Sequence, residues 1–140
     1  MTGFFTYTGP HYGTRHDEID IEILGKDPTQ LHVAWFVDGE LTNHFMPLGF
    51  DASESVNDYA FEWSPNGIRW YVNDALVFEV LASDSPLPSV PSHLFANIWA
   101  ADPSIAVWSG VVEPYTTTSA YFDSISFEPI ATASTSDANS

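Results

Sequence analysis

Apolar and polar residues alternate in short runs along this chain, and turn-forming residues separate the runs. Successive side chains of a strand point to opposite faces, so a period of two marks a half-buried β-strand. On that basis the pattern predicts strands at 4–8, 17–24, 31–37, 41–46, 58–63, 68–72, 76–80, 94–99 and 119–127. Gly9-Pro10 closes the first and Gly25 the second. Asp38-Gly39, Pro65-Asn66-Gly67 and Asn73-Asp74 read as turns between neighbouring strands. The Ser/Pro-rich stretch 83–92, with Pro86, Pro88 and Pro91, reads as a loop. No stretch has the period of a long amphipathic helix. Short strands separated by turn signals indicate an all-β sandwich or barrel.

One strand carries an unusual polar face. In 17–24, Ile19, Ile21 and Ile23 point one way and suit a core, while Glu18, Asp20 and Glu22 point the other way onto an open face. Asp and Glu are poor strand residues. Same-face neighbours lie about 6.7 Å apart, so the charges repel and each raises its neighbour's pKa. Glycoside hydrolysis uses such inequality: one carboxylate attacks the anomeric carbon while a second, still protonated, protonates the leaving oxygen. Residues four apart on a flat strand have Cα atoms about 13 Å apart, whereas a retaining pair needs carboxyl groups about 5–5.5 Å apart. The chemistry therefore requires a curved sheet with the acids on its concave side. A solvated acidic strand face is the competing reading of the bare pattern.

Composition narrows the partners. Three Lys+Arg stand against 19 Asp+Glu, a formal charge of −16 over 140 residues. Such a surface repels nucleic acid and anionic lipid, and leaves neutral sugars as ligands. The chain has no cysteine, which excludes disulfides and thiolate metal sites. No apolar run approaches the roughly 20 residues a membrane span needs. The five His show no metal-ligand spacing. Only His16, beside the acids, is singled out, because an imidazole can tune neighbouring carboxylates.

The string His16-Asp17-Glu18-Ile19-Asp20-Ile21-Glu22-Ile23-Leu24-Gly25 resembles the active-site signature of glycoside hydrolase family 16, most closely its bacterial licheninase and exopolysaccharide-depolymerase branch. Further matches are Phe4-Phe5-Thr6-Tyr7-Thr8-Gly9-Pro10, Leu48-Gly49-Phe50-Asp51-Ala52-Ser53, Tyr59-Ala60-Phe61-Glu62-Trp63, Ile68-Arg69-Trp70-Tyr71-Val72 and Asn97-Ile98-Trp99, in order and spacing over residues 3–128. The resemblance implies a jelly-roll sandwich of two antiparallel sheets, of the concanavalin-like lectin and glucanase type, with an open cleft. It implies retaining cleavage of internal β-1,3/β-1,4-glucosidic bonds, with Glu18 as nucleophile, Asp20 as assisting carboxylate and Glu22 as general acid/base. The single residue between Asp20 and Glu22 resembles the regular-strand branch, not the relatives that insert a bulge there. His16, Asn97 and Trp99 match positions near the sugar. The alternation agrees for the last two: Leu94, Ala96 and Ile98 would face inward, and Phe95, Asn97 and Trp99 outward. Asp123 matches a residue that helps hold a structural calcium ion. No cofactor is implied for the chemistry, and secretion is implied.

The chain also departs from the family pattern. His16 stands where licheninases often carry Trp. Ala34 and Phe36 replace sugar-contacting Asn and Tyr, which argues against strict licheninase specificity. Sandwiches of this kind run about 200–250 residues. The resemblance thus covers the C-terminal part of a domain, with residues 1–129 a partial catalytic domain lacking its first strands and 130–140 a polar tail of disordered composition. Met1 running straight into a strand-like segment reads as a cut start. The expected function is a retaining endo-β-glucanase acting on a neutral β-glucan. The alternatives are a lectin-like carbohydrate-binding module or an inactive fragment of the enzyme. The three acids favour the enzyme, since a binder gains nothing from their adjacency.

Overall fold

A computed structural model describes residues 1–131. The first sheet holds β1 (Thr2–Tyr7), β2 (Glu18–Ile23), β3 (Gln30–Val37), β4 (Glu40–Pro47) and β8 (His93–Ile98), in the order β4-β3-β2-β1-β8. The second holds β5 (Tyr59–Ser64), β6 (Gly67–Val72) and β7 (Ala75–Leu81) in sequence order. Every pairing is antiparallel. The chain meanders through β1 to β4, crosses to build the second sheet, and returns to lay β8 beside β1. These are the first eight strands that the alternation predicts, with ends moved by one or two residues.

The turns follow from their residues. Asp38 (φ 50°) and Gly39 (φ 86°) are both left-handed, as are Asn73 (φ 47°) and Asp74 (φ 66°), the conformation that tight hairpins demand. Gly67 serves a different need. A Cβ there would stand 2.6 Å from the Val80 carbonyl oxygen, so a side chain has no room where β6 meets β7.

The core lies between the sheets. Ile19 and Ile21 of β2 and Leu31, Val33 and Trp35 of β3 face Ile68, Trp70 and Val72 of β6 and Val80 of β7. Each large side chain so buried contributes roughly 1.5–3 kcal/mol. Trp70 is fully buried, and its indole N–H donates to the Asp20 carbonyl oxygen at 3.1 Å. The middle of the second sheet is thus fastened to the middle of the acid-bearing strand, from behind. The indole of Trp63 donates to the Pro88 carbonyl at 3.0 Å and pins the 83–92 loop.

Three expectations need correction. Residues 119–127 form no strand: Tyr121 is 85% and Phe127 81% exposed, and the segment pairs with none of the eight strands. Alternation marks a segment that could add to a sheet, but a strand also needs a neighbouring edge to bond. Second, Leu94 and Ile98 do share the core side of the first sheet, opposite Thr6 and Thr2. They are nonetheless about 40% exposed, because β8 is an edge strand that the three-stranded second sheet does not cover. Third, short helical turns appear where none was expected, at Gly9–Tyr12, Pro103–Ile105 and α1 (Ala106–Ser109). The 130–140 tail lies outside the described residues from 132 onward.

Candidate active site

Strand β2 places Glu18, Asp20 and Glu22 on the face opposite the core, as its isoleucines require. Register aligns them with both neighbours. Glu18 lies between Tyr7 and Phe36, Asp20 between Phe5 and Ala34, and Glu22 between Gly3 and His32. One row further, Gly3 pairs with Asn97 of β8. A Cβ on Gly3 would come within 3.0 Å of the Asn97 amide oxygen, so glycine leaves open the ground between Glu22 and Asn97. Trp99 follows the last residue of β8 and extends the ladder: its N–H donates to the Met1 carbonyl, and its carbonyl accepts from the Met1 amine, both at 3.0 Å.

The three acids are not equivalent, and this departs from the open acidic face expected of the strand. Asp20 is only 2% exposed, and its Oδ1 is buried without a hydrogen-bond partner. Burial first, then the charge of Glu18, a hydrogen bond shared with Glu18, and the charge of Glu22 push its pKa up to about 10. A neutral carboxyl tolerates an unpartnered oxygen far better than a carboxylate does. The environment behind Glu18 thus favours the protonated form of Asp20. On its other side Glu18 is engaged by His16, whose Nε2 is 2.6 Å from Oε2. The His16 ring stacks on Phe36 at 4.5 Å and meets Tyr7 edge-on at 5.2 Å, so cross-strand aromatics hold it in place.

Asp17 belongs to the scaffold of this strand. It is fully buried. It accepts from Arg15 Nη2 at 3.0 Å, from the Asp38 N–H at 3.0 Å and from the Ser89 N–H at 2.8 Å. Burial acts to raise its pKa, but the Arg15 guanidinium and the two backbone donors outweigh it and hold the carboxyl below its ordinary value. One side chain thereby ties the entry to β2 to the β3–β4 hairpin and to the loop leading to β8.

A buried Asp thus lies between two more exposed glutamates on one strand. The sequence profile described as "Glycosyl hydrolases family 16" matches residues 1–121. The chain belongs to this family. It is 44% identical over 101 residues to a beta-glucanase of Bacillus amyloliquefaciens, covering 71% of this chain and 41% of that protein. It is 40% identical over 136 residues to a beta-glucanase of Brevibacillus brevis, covering 93% and 50%. The solved Bacillus licheniformis beta-glucanase superposes with a TM-score of 0.74 at 39% identity, over 82% of this chain and 52% of that one. The fold is the jelly roll of these beta-glucanases, and the chain spans about half the length of the relatives it matches.

In this family 16 chain Glu18, Asp20, Glu22, His16 and Asn97 come together on one face. Trp99 stands at its margin, its ring 6.4 Å from that of Trp108. Asp123 does not join them. It is exposed on an irregular segment, and among the described residues no three His, Cys, Asp or Glu gather as metal ligands.

Sequence reasoning overlooked two aromatic neighbours. His32 is buried across the ladder from Glu22. The parity that turns Ala34 and Phe36 toward the acids turns His32 the same way, and that signal was available. Trp108 sits on α1 with its ring 5.5 Å from that of His32. Lys26 holds the turn there: its Nζ donates to the Val107 carbonyl at 2.6 Å and its N–H to Ser109 at 3.2 Å. Phe45 and Trp108 line a groove of about 410 Å³ beside this end of the strand.

Proposed function

We propose that this chain carries the catalytic strand of a retaining endo-β-glucanase that hydrolyses internal β-1,3/β-1,4-glucosidic bonds by double displacement. Glu18 attacks the anomeric carbon while Glu22 gives its proton to the departing glycosidic oxygen. The glycosyl–Glu18 ester is then cleaved by water, whose proton Glu22 takes back, restoring both groups. Asp20, protonated, donates its hydrogen bond to Glu18 and holds the nucleophile from behind. Asn97 offers an amide to a sugar hydroxyl, and Trp99 a flat apolar face to a sugar ring. No metal enters these steps.

The observation that carries the reading is the inequality along β2: a sealed Asp20, its pKa pushed up by burial and by the glutamate charges, between two more accessible glutamates. A carbohydrate-binding module has no use for a buried acid behind an exposed one. The −16 charge favours a neutral polymer as substrate. Among the described residues no helix is long and apolar enough to cross a membrane. A polysaccharide too large to enter a cell places the proposed reaction outside it.

Proton NMR of the freshly released reducing end tests the mechanism. The β-anomer should appear first, and an initial α-anomer would overturn it. Glu22→Ala should lose most activity on β-glucan but far less on an aryl glycoside whose leaving group departs without a proton. Equal losses would remove Glu22 from the acid role.

A further inference from the structure

Glu22 has a partner that the steps above leave unused. His32 Nδ1 lies 3.0 Å from Glu22 Oε2. The ring is 3% exposed, with the Phe45 ring 4.5 Å and the Trp108 ring 5.5 Å from it. Its other nitrogen, Nε2, lies 3.0 Å from Asn43 Nδ2. An amide NH2 only donates, so Nε2 accepts, which leaves Nδ1 to carry the ring N–H. That N–H then points at Oε2 of Glu22.

We propose that His32 is a positioning residue for Glu22: Asn43 fixes its tautomer, and Nδ1–H donates to Oε2, so that the proton to be transferred is carried on Oε1. This rests on the reading of Glu22 as the general acid/base. A free glutamate samples several rotamers and can present either oxygen. Anchoring Oε2 to β3, whose Leu31 and Val33 are locked in the core, leaves one oxygen facing the substrate in one direction. Proton transfer depends steeply on such alignment. The same arrangement serves both halves of the reaction, since Oε1 gives the proton to the leaving group and later takes one from water.

Packing alone could also explain a buried ring, so the test must separate the two roles. In the full chain, His32→Leu fills the space without a donor, and His32→Gln keeps an N–H within reach of Glu22. With β-glucan, His32→Leu should lose about 100-fold in kcat with KM little changed, and His32→Gln should recover at least about tenfold of that loss. With a 2,4-dinitrophenyl glycoside, which leaves unprotonated, His32→Leu should lose less than about fivefold. Equal losses on both substrates, or a loss confined to KM, would overturn the proposal. Independently of turnover, ¹⁵N NMR of His32 should show a protonated Nδ1 and a bare Nε2; the reverse tautomer overturns it as well. A parent chain inactive on both substrates would sink the glucanase reading itself, and the tautomer would still decide whether His32 holds Glu22 as stated.

Discussion

Replacing Asp20 by Asn isolates the energetic consequence of its proton. In the folded chain burial and the flanking glutamates hold the pKa near 10. In the unfolded chain it returns to about 3.9. Between those values the folded state binds one proton more than the unfolded state, so stability falls as pH rises, by about 1.4 kcal/mol per unit. The contribution is fully present below pH about 4 and is lost progressively as pH climbs toward about 10. From pH 5.5 to 7.5 the loss is on the order of 3 kcal/mol, a large part of a typical net stability of about 5–15 kcal/mol. The slope depends on the number of protons the folded state holds in excess of the unfolded state. Asn is isosteric, neutral at every pH, and can still donate to Glu18. Guanidinium unfolding of parent and Asp20→Asn across pH 5.5–7.5 should therefore show the variant gaining on the order of 3 kcal/mol on the parent. Parallel profiles would refute the reasoning, because Asp20 would then be ionised in the fold.

Asp17→Ala should cost about 1–3 kcal/mol near neutrality, since it leaves the Asp38 and Ser89 N–H groups without their acceptor. Because the folded carboxyl is held low, its contribution is present above the ordinary carboxylate range and lost as pH falls through the folded value. The gap between parent and variant should thus narrow in acid, and denaturant titrations at pH 7 and pH 3 would read both effects. Gly67→Ala should destabilise by about 1–3 kcal/mol, because the new methyl meets backbone and not a flexible side chain. An unchanged melting temperature would contradict that close approach.

Much of the fold was legible because alternation is local. Ile19, Ile21 and Ile23 announced a strand with one buried face, and Asp38-Gly39 and Asn73-Asp74 announced left-handed hairpin turns that the structure contains. Reading stopped where a partner lies far along the chain. Whether 119–127 becomes a strand depends on a free edge, which its own residues do not report. Asp17 read as the start of a strand, but its role comes from Asp38 and Ser89, 21 and 72 residues away. The grouping of the acids on one face was visible; the sealing of Asp20 was not, because Phe5 and Ala34 flank it only through sheet register. His32 was discounted for lack of metal spacing, although its parity on β3 already turned it toward Glu22. Trp108 was out of reach, since the Lys26 contacts that dock α1 span more than 80 residues.

The central claim is that Glu18 forms a covalent bond to the sugar. A 2-deoxy-2-fluoro-β-glucoside with an activated leaving group slows both steps, and lets the glycosyl–enzyme ester accumulate once the leaving group has gone. Peptide mass mapping of the trapped protein should place one added fluoroglycosyl group on Glu18, and Glu18→Gln should take up none. A label on Glu22 or elsewhere, or steady turnover of β-glucan by Glu18→Gln, would contradict the account.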